Sequence, residues 1–192
     1  MKRGFKSECE SLAAAVRSEI GLDTRARLDS RVVADHLGIP LHPVSSLRGD
    51  GVPAAVRHVM VENPAVLSAM TIFPEWPRRH RVVIFNDGNS EARQNSDLAH
   101  ELSHGLLLHE PRMAVVNGCR DYAKTEEDEA AWLSGCLLVP RDAAVKVAKA
   151  GLDLHFAAAD YGVSIDMMRY RVNSTGAKRQ AEASRARQGG KV

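Results

Sequence analysis

What this chain lacks narrows it first. No run of about 18 apolar residues is present, the length at which a membrane-spanning helix is suspected. The opening segment MKRGFKSECESLAAAVRSEIG has Glu8, Glu10, Arg17 and Glu19 where a secretory leader would keep an unbroken apolar stretch. A soluble, cytoplasmic protein without a membrane partner is the expectation. Cysteine is scarce: Cys9, Cys119 and Cys136 are odd in number and show no C-x-x-C spacing, which argues against a disulfide framework or cysteine-held zinc and for buried thiols. Neither sign of charge dominates. With 26 basic and 24 acidic residues, a net +2, bulk charge directs the chain to neither nucleic acid nor a membrane surface. There is no internal repeat.

What is present is enough apolar residue, 44% of 192, for one sizeable core. Helical spacing of Leu12, Ala15, Val16 and Ile20 predicts a helix over residues 7–20, ended by Gly21, and Leu28, Val32, Val33 and Leu37 before Gly38 predict a second. IPLHPV is extended because its prolines forbid a helix interior. Between Gly51 and Phe85 the character turns to β, with AVRHVMV, AVLSAMTIF and RVVIF separated by turn residues, so a roughly three-stranded, mostly antiparallel sheet is expected. Asn89 or Ser90 caps a long helix from about Glu91 to His109. An acidic start, KTEEDEA, opens another helix that stops before Pro140. Residues 142–150, 154–159 and 165–172 read as shorter helices, the last capped by Ser164. Past Gly176 the chain is basic and poor in large apolar groups, so it should be disordered. The expected class is α+β: a mostly helical single domain over residues 1–175, ending in a helix-turn-helix-like segment at about 154–173, then a basic tail over 176–192.

The segment LAHELSHGLLLH holds the chemistry. Histidines at i and i+4 share a helical face one turn apart, so His100 and His104 can point at one metal ion. Glu101 lies about 100° round the helix, within reach of a metal-bound water without being a ligand. This is the H-E-x-x-H arrangement of zincin core helices. Two imidazoles leave Zn²⁺ under-coordinated, so a further ligand must come from another segment. Glu126, Glu127, Asp128 and Glu129 are on offer. Glu127 shares a stripe with Ala130, Ala131, Ser134 and Leu138, small residues that favour close helix approach, and it is the preferred third ligand, with Glu126 and Glu129 as alternatives. The bland counter-reading is a pair of core histidines and an acidic helix start favoured by the helix dipole.

Taken together, RQNSDLAHELSHGLLLH, EEDEAAWLSGCLLVP and AADYGVSIDMMRYRV resemble the ImmA/IrrE family of zinc metallo-endopeptidases, with ADHLGIPL and SAMT…VVIFN extending the similarity over roughly residues 12–172. The resemblance implies that His100 and His104 are ligands, Glu101 the catalytic glutamate, and Glu127, thirteen residues before Pro140, the third ligand to Zn²⁺. Ser103, Val139 and Ala131 depart from the family's usual glycine, methionine and asparagine, and none of them removes a ligand or the base. The resemblance further implies a bacterial cytoplasmic protein tied to stress response, mobile elements or toxin–antitoxin operons, with a helix-turn-helix repressor as protein substrate.

Two other readings compete. Arg169 and Arg171 on a helix-turn-helix-like end suit a DNA-binding regulator, and an intact site does not by itself distinguish a peptidase from a non-catalytic antitoxin or repressor-binding protein. Tyr122, His109 and Arg120 are candidate oxyanion donors by nearness in sequence. Trp76, between prolines, is either a partner contact or an aromatic capping the core.

Overall fold

Apolar positions recurring every three to four residues, punctuated by Gly, Pro and capping Ser or Asp, resolve into eight α-helices among the described residues: α1 (Phe5–Glu19), α2 (Ser30–His36), α3 (Glu91–Leu106), α4 (Lys124–Leu138), α5 (Arg141–Ala150), α6 (Leu154–Tyr161), α7 (Ile165–Ser174) and α8 (Ala177–Gly189). With strands β1 (Leu41–Pro43), β2 (Ala69–Ile72) and β3 (Val82–Phe85) they make an α+β, mostly helical fold. The computed structural model describes residues 1–47, 67–73, 80–109, 115–116, 119–120 and 124–189. The expected strand AVRHVMV and Trp76 lie outside them. By contacts the chain forms two compact units, one of Ser30–Ser134 and one of Lys2–Asp29 with Gly135–Val192.

In the first unit the three strands are ordered β1-β3-β2. β3 pairs antiparallel with β2, as expected, but parallel with β1, with Leu41 opposite Val83 and Pro43 opposite Phe85. The sheet is therefore mixed. Parallel neighbours cannot be joined by a hairpin, and Pro43 and Val82 are far apart in the sequence. As the central strand, β3 buries Val83, Ile84 and Phe85 in succession, without the alternation of a half-exposed strand. A short pair, β4 (Val115–Val116) and β5 (Cys119–Arg120), is also antiparallel.

Helix α3 lies on this sheet, packing against β2 and β3, and also packs against α2. Ser90 caps it, its hydroxyl accepting from the Arg93 amide. Leu98 joins Val83 and Phe85 in one buried cluster, and Ala99 and Leu102 are equally buried, so the motif helix is anchored by the residues that flank its histidines. A buried polar knot locks α2 to it. Asn95 Oδ1 accepts from the Ser30 amide at 2.8 Å, and the Ser30 hydroxyl lies 2.7 Å from that oxygen and 2.8 Å from the Asn95 carbonyl.

In the second unit α1 turns Cys9, Ala13 and Val16 inward, a stripe one position round from the expected one, because Arg17 is also fully buried. Its guanidinium donates to the Leu137 carbonyl at 2.6 Å, to the Asp23 carbonyl at 2.8 Å and to the Ala26 carbonyl, and burial pulls its pKa below the usual arginine value. Arg171 is likewise fully buried, donating from Nε to the Val139 carbonyl at 2.8 Å and pairing with Glu10. It passes α4 at Gly135, where a Cβ would stand 2.9 Å from its Cδ. The expected disordered tail is corrected: α8 continues the chain and packs against α5. Alanines 177 and 181, one turn apart and buried at 0% and 3% exposure, give a basic segment a narrow apolar seam that composition alone hides.

Replacing Asn95 by alanine leaves the buried Ser30 amide without its acceptor. Urea unfolding should show a loss of about 1–3 kcal/mol with an unchanged slope; a variant as stable as the parent would contradict this role.

Candidate metal centre

Successive turns of α3 carry His100 and His104, and their Nε2 atoms stand 3.2 Å apart. The first turn of α4 brings in Glu127: its Oε2 lies 3.0 Å from His100 Nε2 and its Oε1 3.5 Å from His104 Nε2. All three side chains offer atoms within 4.8 Å of one another, and among the described residues no other such group of His, Cys, Asp and Glu is found. His104 is 1% exposed, His100 28% and Glu127 44%, so the cluster has a buried floor and an open rim.

The donor set fits a cation. Ligands at 2.0–2.2 Å around a tetrahedral Zn²⁺ stand about 3.3–3.5 Å from one another, which the separations of 3.0, 3.2 and 3.5 Å approach. Lone pairs of two imidazoles and a carboxylate converging in this way repel unless a proton or a cation lies between them. Glu127 stands in the first turn of α4, at the positive end of its helix dipole.

Of the acidic quartet, Glu127 is the one in the cluster; Glu129 sits 3.5 Å from His109. In the stripe used to choose it, Ala130, Ser134 and Leu138 are buried, while Ala131 is exposed. Glu101 points off the metal face towards the sheet, where the buried Thr71 hydroxyl on β2 donates to its Oε2. Sequence reasoning missed Thr71, which only the packing of α3 on β2 brings near. Arg93 and Asp97 brace the same junction: Arg93 Nε is 2.9 Å from both Asp97 oxygens and its Nη2 donates to Ser68, just before β2, at 2.6 Å. Burial pushes the Asp97 carboxyl up from its ordinary pKa, against the opposing pull of Arg93. Ser103, fully buried, satisfies its hydroxyl on the Ala99 carbonyl at 2.7 Å, which explains why glycine is dispensable there.

The family model of the IrrE N-terminal-like domain, Peptidase_M78, matches residues 57–173. The chain belongs to this family. Membership in Peptidase_M78 carries metallopeptidase chemistry, hence a metal ion and a protein substrate, and His100, His104 and Glu127 are the residues that can hold such an ion. A comparison with curated proteins finds no match.

Other sequence candidates fall elsewhere. His109 is buried with both ring nitrogens engaged, Nδ1 at 2.9 Å from His104 Nδ1 and Nε2 facing Glu129, so it does not present an oxyanion donor. Tyr122 and the Arg120 side chain lie outside the described residues. Arg171 is buried and Arg169 pairs with Asp166 at 2.6 Å, which removes one of the two arginines a DNA-reading helix would show. No helix among the described residues is long and apolar enough to cross a membrane.

The end of α3 is built by a Schellman turn: the His109 amide donates to the His104 carbonyl at 3.0 Å and the Leu108 amide to the Gly105 carbonyl at 3.0 Å. Its left-handed residue is normally glycine, yet here it is Leu108, with φ of 56° and 79% exposure. Leu108→Gly should therefore raise stability by about 1 kcal/mol in chemical denaturation, since it relieves left-handed strain and gives up little buried surface. A loss of stability would contradict this account of the turn.

Proposed function

We propose that this protein is a zinc-dependent endopeptidase, with His100, His104 and Glu127 holding the ion and Glu101 acting as general base. The observation that carries the proposal is the convergence of two Nε2 atoms and one carboxylate at 3.0–3.5 Å in a Peptidase_M78 chain. The proposed substrate, a helix-turn-helix transcriptional repressor in the cytoplasm whose cleavage relieves repression during stress or mobile-element transfer, rests on the family resemblance. The competing DNA-binding reading is weakened by the burial of Arg171.

Bound at this place, the ion supplies Lewis acidity that activates water and polarises a peptide carbonyl. The protein's own residues then do the following. Thr71 donates to Glu101 Oε2 and so orients the carboxylate, whose role is to take a proton from the attacking water and return it to the departing amine nitrogen. Among the described residues β2 pairs on one side only, with β3, and an extended peptide added along its outer edge passes the strand that carries Thr71. Asp97 and Arg93 hold that strand against α3, so the base and the docking edge share one support.

Incubation with the repressor encoded beside its gene should yield discrete fragments with the zinc-loaded protein and none with Glu101→Gln, which should still bind zinc stoichiometrically. Cleavage by that variant would refute the mechanism, and a stable complex without fragments from the unaltered protein would mark a non-catalytic binder. Thr71→Val, which keeps the shape and removes the donor, should lower kcat by about 10- to 100-fold with little change in KM. An unchanged kcat would show that the base needs no such orientation.

A further inference from the structure

His109 stands outside the proposed mechanism, yet it is buried with both ring nitrogens engaged. The Schellman turn that closes α3 sets residue 109 over residue 104, the pair of positions that usually make an apolar contact in this motif. Here they make a ring-to-ring hydrogen bond, Nδ1 to Nδ1, at 2.9 Å with the ring planes 64° apart. The backbone is held as well: Arg81 Nη2 donates to the His109 carbonyl at 2.9 Å. On the far side of the ring, Nε2 faces Glu129 Oε2 at 3.5 Å, with that carboxylate 18% exposed. His104, His109 and Glu129 thus form a line leading away from the metal cluster.

The direction of this line is fixed by proton counting. His104 Nε2 faces His100 and Glu127, and it can donate a lone pair there only if it carries no proton. Neutral His104 must then be protonated on Nδ1, the atom that meets His109. His109 Nδ1 must accept, so its proton sits on Nε2, on the side of Glu129. Reversal of the line would place a proton on His104 Nε2 and abolish its lone pair.

We propose that His109, backed by Glu129, is a positioning residue that holds His104 in the tautomer and ring orientation needed to bind the metal. The proposal rests on the metal-centre reading above. Ligating histidines commonly give their second ring N–H to a carboxylate or carbonyl; an imidazole serves as acceptor here because the turn delivers a ring where a carbonyl would otherwise sit.

The test uses the full chain and zinc alone. In chelator competition, His109→Leu should bind zinc about 10- to 100-fold more weakly than the unaltered protein, while His109→Asn, whose Oδ1 replaces Nδ1 as acceptor, should restore most of the affinity. Long-range ¹H–¹⁵N spectra of the zinc-loaded unaltered protein should show His104 protonated at Nδ1 and His109 at Nε2. Unchanged affinity in His109→Leu, an asparagine variant as weak as the leucine one, or a proton on His109 Nδ1 would each overturn the proposal while leaving the metal centre intact. Should the leucine variant fail to fold, the asparagine variant and the spectra decide. Failure of the unaltered protein to take up zinc would instead overturn the metal centre, and this inference with it.

Discussion

Two imidazole nitrogens and a carboxylate held within hydrogen-bonding distance of one another repel unless a proton or a cation lies among them, and contacts within the first unit keep them there. The helical repeat places His100 above His104. The core contacts of Leu98, Ala99 and Leu102 prevent α3 from rotating that face away. The carboxylate arrives on the first turn of α4, at the positive end of its helix dipole. Because His104 is buried while His100 and Glu127 reach solvent, the cluster is fixed from below and open from above, as a site that must admit a peptide requires.

The same helix supports the chemistry on two further sides. Towards the sheet, Glu101 is tied to β2 through Thr71, so the proposed base is referenced to the strand along which an extended chain can lie. At its C-terminal end, a left-handed Leu108 turns His109 back over His104. Such strain at a non-glycine residue is tolerated where the surroundings over-determine the conformation, and both the Arg81 bond to the His109 carbonyl and the two turn hydrogen bonds do so.

Features that depend on a local repeat were legible in the sequence. The cap at Ser90, the start of α3, the pairing of His100 with His104 and the stop before Pro140 all follow from spacing within one helix, whereas α3 ends at Leu106 rather than at the expected His109 because the turn at Leu108 closes it. The place of Glu127 in the cluster agrees with its stripe on α4 and with the position before Pro140 that the family resemblance implies. Features set by distant partners were not. Leu41–Pro43 joins the sheet by a parallel pairing to a strand far along the chain, and a three-residue, proline-containing segment gives no sign of it. Arg17 and Arg171 read as surface charges until their carbonyl and carboxylate partners appear. Thr71 and His109 carry no motif of their own. The α8 seam of two alanines is too narrow to register as amphipathic.

A zinc ion held by this protein would take its ligands from His100, His104 and Glu127. Zinc K-edge X-ray absorption of the loaded protein reads this directly. Two imidazole nitrogens with oxygen completing the shell at about 2.0–2.2 Å are the predicted result. A shell containing sulfur, or one lacking imidazole scattering, would contradict it.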